Sequence, residues 1–186
     1  YIFKRNANHL EDLLFITPNV NYSSGASRGK FYQIRGIGER SEFTEPVNYS
    51  VGVIIDGIDF TGIALGASTF DVKQVEVLRG PQGTLYGANA LAGLINIVSN
   101  DPTEDFYSEI SGSISEFGGK DFGVIISNSN DNNFGYRLGF KNSKSDGFIK
   151  NVFLNRDDTN DINETISRAK FTKNNDSTKL ILNIFY

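Results

Sequence analysis

The chain has 186 residues, a formal net charge of -4, 19 glycines, only 4 prolines, one histidine, and no cysteine, methionine or tryptophan. Without cysteine there is no disulfide framework, thiolate zinc site, iron–sulfur cluster or cysteine nucleophile, and His9 alone cannot build a multi-histidine metal site. The acidic balance argues against a nucleic-acid partner, no run approaches the roughly 18 apolar residues of a membrane helix, and no cofactor is expected.

The opening residues, Tyr1 to Arg5, hold no apolar run of signal-peptide length, and the missing methionine is read as a processed chain or a fragment. Asn8 is placed as a helix cap with Glu11 in the capping-box position, and Leu10, Leu13 and Leu14 make an i, i+3, i+4 stripe that Pro18 stops. His9, at this helix start, reads as a surface or capping-region residue.

Strands are expected over Phe31–Gly36 and Val51–Ile55, with Asp56-Gly57 turning a hairpin. Phe70–Gln74 is expected to form one helical turn and Val75–Leu78 a strand broken by Gly80-Pro81. A short helix over Thr84–Leu91 and a strand over Leu94–Val98 follow, and Asp101-Pro102 closes a mixed domain of residues 1–103.

Residues 104–186 alternate instead. Phe106, Ile110, Ile114, Phe122, Val124 and Ile126 share one parity against Glu109, Ser111 and Ser113. Phe134, Tyr136, Leu138 and Phe140 alternate with Gly135, Arg137 and Gly139, and Leu180, Leu182 and Ile184 repeat the pattern. Thr165–Thr172 alternates poorly. About five antiparallel strands result, with short turns at Glu116–Lys120, Asn128–Asn133 and Lys173–Ser177 and a long asparagine- and aspartate-rich loop over Asp146–Asn163. Strands of roughly 9–11 residues with uneven connections suit an outer-membrane barrel. A soluble β-sandwich with one wet face alternates in the same way, and the pattern alone leaves both open.

Two motifs invite other chemistry and fail it. Arg79-Gly80-Pro81-Gln82-Gly83-Thr84-Leu85-Tyr86-Gly87 lacks the Gly-Lys-Ser/Thr ending that a phosphate loop requires. Asp157-Asp158-Thr159-Asn160-Asp161 lacks the central glycine of a calcium loop. No converging pair of carboxylates marks a hydrolase, and no enzyme activity is expected.

The stretch Phe31-Tyr-Gln-Ile-Arg35-Gly36-Ile37-Gly38 resembles the Ile-Arg-Gly strand of the plug domain in TonB-dependent outer-membrane receptors, and Val53-Ile-Ile-Asp56-Gly57-Ile58 resembles that family's Val-Asp-Gly-Val segment. The run from Phe70 through Glu76, Arg79-Gly80-Pro81, Gly83, Tyr86-Gly87, Asn89 and Gly93 to Ile97 is similar, almost position for position, to the plug signature. The resemblance implies an α+β plug domain, a small mixed sheet with short helices over residues 1–103, followed over 104–186 by the first antiparallel strands of an incomplete transmembrane β-barrel. The family's barrel has about 22 strands, so five cannot close it. The segment that binds TonB in the family is expected outside these residues.

The family further implies a non-enzymatic receptor of the Gram-negative cell outer membrane, with outer-membrane lipid, TonB and its inner-membrane energising complex as partners. Its extracellular ligand would be small, a ferric siderophore or similar metal chelate, with cobalamin, haem or a glycan as alternative substrates. A soluble β-rich ligand-binding module without transport is the alternative function. By motif order the apical plug loops are Glu39–Asn48 and Asp59–Ser68, which makes Arg40, Phe43, Tyr49 nearby and Phe60 the ligand-binding candidates. Plug structure and plug–barrel contacts fall to Arg35, Gly36, Glu76, Arg79, Gly80, Pro81, Gly83 and Gly87. The charged residues among these are expected in apolar strand-like surroundings, where burial demands partners.

Overall fold

The computed structural model describes residues 9–14, 16–24, 29–41, 48–63, 68–130, 133–175 and 178–186. The chain divides into two compact units, 1–100 and 101–186.

The first unit opens with α1 (Leu10–Leu14), whose three leucines are all buried. The position expected for its cap, Asn8, lies outside the described residues. His9 performs the capping: its backbone N–H donates to Asp12 Oδ2 at 3.0 Å, and its Nδ1 accepts from the Glu11 N–H at 3.4 Å. His9 is therefore not a surface residue. It is 1% exposed, because its backbone forms a bridge with Ser68 and carries the imidazole inward.

A strand with no expectation behind it, β1 (Val20–Ser24), pairs antiparallel with β2 (Gly29–Ile34). The expected strand over Phe31–Gly36 thus begins and ends earlier. Arg35 and Gly36 leave it at φ 54° and 80°, a left-handed turn that cannot continue a ladder.

The second sheet has the order β4-β3-β6-β5, from β3 (Val51–Ile55), β4 (Ile58–Asp59), β5 (Val72–Arg79) and β6 (Gly93–Ser99). Strands β3 and β6 run parallel and are the most buried, as near-continuous apolar runs predict. Asp56 and Gly57 turn the β3–β4 hairpin at φ 49° and 83°, the conformation that Asp-Gly pairs favour.

The helical turn expected over Phe70–Gln74 does not form. Asp71 sits at φ 54°, and from Val72 the chain pairs antiparallel with β6. The expected helix over Thr84–Leu91 shrinks to α2 (Gly83–Tyr86), ended by Gly87 at φ 85°. Ala90, Ile54 and Leu94 form a core cluster, with Leu78 packed against it.

In the second unit, β7 (Tyr107–Ser115), β8 (Gly119–Ser129), β9 (Phe134–Ser145), β12 (Ile162–Asn175) and β13 (Thr178–Phe185) form one antiparallel sheet in the order β13-β12-β9-β8-β7. The loop between β9 and β12 contains a small hairpin, β10 (Ile149–Asn151) and β11 (Arg156–Thr159), which composition alone had left as coil.

Register fixes the faces, since directly paired residues share one side of a sheet. Ile110 pairs with Val124, Val124 with Phe140, and Phe140 with Ser167. One face therefore carries Ile110, Ile114, Phe122, Ile126, Leu138, Phe140, Leu182 and Ile184, all exposed. The other carries Glu109, Asp121, Arg137, Lys141, Glu164, Arg168 and Lys170. On β12 the apolar face receives Thr165 and Ser167 before Ala169 and Phe171, while Ile162 and Ile166 fall on the polar face. That mixing is why the longest strand of the sheet alternates least clearly. Among the described residues no helix is long and apolar enough to cross a membrane.

Candidate functional site: two loops tied by the signature segment

The candidate site lies in the first unit, where the chain after β2 and the chain after β4 both meet the segment between α2 and β6. Asn89 stands in that segment. Its Oδ1 accepts the Tyr49 N–H at 2.9 Å, and its Nδ2 donates to Asp59 Oδ2 at 3.0 Å. Asp59 Oδ1 accepts from the Thr61 N–H at 2.9 Å, and Thr61 Oγ1 accepts from the Val53 N–H at 3.0 Å.

On the other side, the Glu39 carboxylate accepts from the Ser50 N–H at 3.0 Å and from Ser50 Oγ at 2.8 Å. The Ser50 carbonyl accepts from the Ala92 N–H at 2.7 Å. One continuous set of bonds thus runs from the first loop through the signature segment to the second.

Burial alone would raise the Asp59 pKa. The hydrogen bonds from Thr61, side chain and backbone, and from Asn89 outweigh it and hold the carboxyl below its usual value. Asp59 therefore stays anionic at neutral pH.

The ligand candidates separate. Arg40 is exposed. Phe43 lies outside the described residues. Tyr49 is half-buried, its ring stacked on Phe31 at 6.4 Å between centroids, and a Cβ on Gly62 would stand 2.8 Å from its hydroxyl. Tyr49 therefore packs the base of the loop. Phe60 is half-buried, and its N–H donates to the Val53 carbonyl at 2.9 Å.

The structural candidates separate too. Arg35 and Arg79 are not enclosed by the apolar residues that flank them in sequence. Arg35 is exposed in its left-handed turn, and Arg79 is exposed as the last residue of β5. Glu76 is half-buried and accepts from Asn96 Nδ2 at 3.0 Å across the β5–β6 pair and from Gln74 Nε2 at 2.6 Å. Gly36, Gly80 and Gly87 occupy positive φ, where a side chain costs about 1–2 kcal/mol. Pro81 has no N–H to continue the ladder and follows the end of β5, and Gly83 opens α2 with open space around it.

Asn89 stands within the signature, where the sequence gives it no role, and Glu39 and Asp59 are legible in the sequence only as bounds of the two loops. The available signal was an amide with both a donor and an acceptor in a segment that must meet two loops. Among the described residues no group of three or more His, Asp or Glu side chains is placed to hold a metal ion.

The profile of the TonB-dependent Receptor Plug Domain matches residues 1–94. The pesticin receptor of Yersinia enterocolitica is 35% identical over 101 residues, 54% of this chain and 15% of its own length. The catecholate siderophore receptor Fiu of Escherichia coli K12 is 34% identical over 110 residues, 59% of this chain and 14% of its own. The chain thus spans about one seventh of the length of these curated relatives. Among solved structures, the ferric yersiniabactin uptake receptor FyuA from Yersinia pestis superposes with a TM-score of 0.81 at 24% identity, covering 97% of this chain and 29% of that one. At that identity the likeness is one of fold.

Proposed function

Because the chain belongs to the TonB-dependent receptor plug domain family, we propose that it forms the plug and first barrel strands of a receptor that takes up a ferric siderophore or similar chelate. Its place is the Gram-negative outer membrane. The observation that carries the proposal is the order of the two units: 94 residues of plug sequence lead into a sheet whose apolar face is open to its surroundings. Ile110 is 78% exposed and Ile114 86%. Such a face is costly in water and suited to hydrocarbon, which disfavours a soluble binding module.

In this reading the loops that Asn89 ties receive the ligand. Exposed Arg40 suits the carboxylate or phenolate oxygens of an anionic chelate, and Phe43 and Phe60 add aromatic contact. Tyr49 supports the loop from below. Exposed Arg35 and Arg79, with Glu76, supply charge toward the acids and bases of a surrounding barrel wall. TonB, driven by its inner-membrane complex, opens the path, and no covalent chemistry or cofactor takes part.

The test is uptake by a strain deleted for the gene, grown under iron limitation with ferric catecholate, ferric yersiniabactin or ferric pyoverdine as sole iron source. Loss of growth on at least one, restored by the gene, supports the proposal. Undiminished growth and iron uptake on all three refutes it as a ferric-siderophore receptor.

A further inference from the structure

We propose that the Asn89 side chain fastens Tyr49, where the chain returns from the first loop to β3, to Asp59, where it leaves β4 for the second, so that the two loop bases are held as one unit. The inference rests on the reading of these loops as ligand-facing, and it assigns the residue that couples them.

Three observations carry it. First, the Asn89 amide uses its acceptor on one loop, at Tyr49 N, and its donor on the other, at Asp59 Oδ2. No other residue type of this size offers one of each in that geometry; aspartate has no donor and leucine has neither. Second, the backbone of Asn89 is fixed from behind. A Cβ on Gly52 would stand 2.2 Å from the Asn89 carbonyl oxygen, so β3 and Asn89 approach as closely as a glycine allows. Third, the next residue, Ala90, is 1% exposed within the cluster of Ile54 and Leu94, and the Ala92 N–H donates to the Ser50 carbonyl. The side chain that ties both loop bases is therefore anchored one residue from a core cluster.

Asn89 is thus a positioning residue, which acts on the ligand only through the loops. The substitution Asn89→Asp keeps the acceptor for Tyr49 and places a carboxylate against that of Asp59. Combining Asn89→Asp with Asp59→Asn reverses donor and acceptor and restores the bond. The experiment uses the full-length protein in detergent and in cells, with iron(III) tris-catecholate as probe and backbone hydrogen exchange as a second measurement.

In Asn89→Asp the repelled Asp59 carboxylate loosens its hold on the Thr61 N–H, and exchange at the Thr61 amide quickens about tenfold, the equivalent of about 1.4 kcal/mol, while the Tyr49, Ile95 and Ile97 amides stay protected. The maximal uptake rate falls about tenfold and the affinity for the probe shifts by less than about threefold. The double variant returns both exchange and uptake to within about threefold of wild type.

Unchanged exchange and uptake in Asn89→Asp, or a double variant no better than the single, overturns the inference. So does a loss of affinity as large as the loss of uptake, which would place Asn89 in the binding contact itself. Failure of the wild-type protein to bind the probe counts against the catecholate reading, and the exchange comparison still decides whether Asn89 ties the loops.

Discussion

Replacing Asp56 tests how the plug sheet closes. Asp56 follows β3, and its carboxylate reaches the last residue of β6: Oδ1 accepts the Ser99 N–H at 2.9 Å and Oδ2 accepts Ser99 Oγ at 2.6 Å. Ser99 is 6% exposed, and Asp56 sits at φ 49°. Asp56→Ala removes both acceptors and leaves two nearly buried donors, each worth about 1–3 kcal/mol when unsatisfied. It also forces alanine into the left-handed region at about 1 kcal/mol. Relaxation and water entry at a half-buried site reduce the sum, so a loss of about 3–4 kcal/mol is expected.

Asp56→Asn tolerates the same φ, keeps an acceptor for the Ser99 N–H, and can donate to the rotated Ser99 hydroxyl, so its cost is about 1 kcal/mol. The assay is native-state hydrogen exchange of the full-length protein in detergent, followed at the amides of β3 and β6. Exchange should quicken by about two to three orders of magnitude in the alanine variant and by about tenfold or less in the asparagine variant. An alanine variant within about threefold of wild type, or two variants alike, would refute the assignment of this closure to the Asp56–Ser99 bonds.

Other expectations follow from burial and charge. Leu94→Ala opens the cluster of Ile54 and Ala90 and should cost about 2–5 kcal/mol by the same exchange measurement. Tyr32 is 5% exposed and its hydroxyl donates to the Gly29 carbonyl at 3.0 Å. Burial, then the charge of Glu11 and of Tyr22, raises its pKa. The unfolded chain therefore loses this proton first as pH climbs past about 10, so stability is full below that pH and falls above it, and Tyr32→Phe should flatten that alkaline slope in pH-dependent unfolding. Ile110→Lys puts a charge on the exposed apolar face and should reduce folded receptor in the outer membrane, at a cost of about 2–4 kcal/mol if the site is near mid-membrane. Ser111→Lys, on the opposite face, should assemble at close to wild-type yield, both variants being read in a heat-modifiability gel assay.

Elements that repeat a period were legible in the sequence. The leucine stripe gave α1, the apolar runs gave β3 and β6, and strict alternation gave four of the five strands of the long sheet. Misreadings fell where local propensity met tertiary pairing. Val72 to Gln74 has no strong preference of its own and becomes strand because β6 lies beside it. β1 is short and mostly polar, and it is held by register with β2 rather than by its own composition. β12 hid its length because apolar residues fall on both of its faces.

At the site, the types were visible and the contacts were not. Arg35 looked buried because its neighbours in sequence are apolar, yet a left-handed turn carries it outward. Asn89 lies 40 residues from Tyr49 and 30 from Asp59, and no local pattern announces a bond across that distance.

The most direct measurement of the central claim is the uptake of radiolabelled ferric siderophore by cells that express the full-length protein, compared in otherwise identical strains with and without TonB. The account predicts energy-dependent uptake in the first strain and none above background in the second, with the protein equally abundant in both outer membranes. Uptake that persists unchanged without TonB would contradict it.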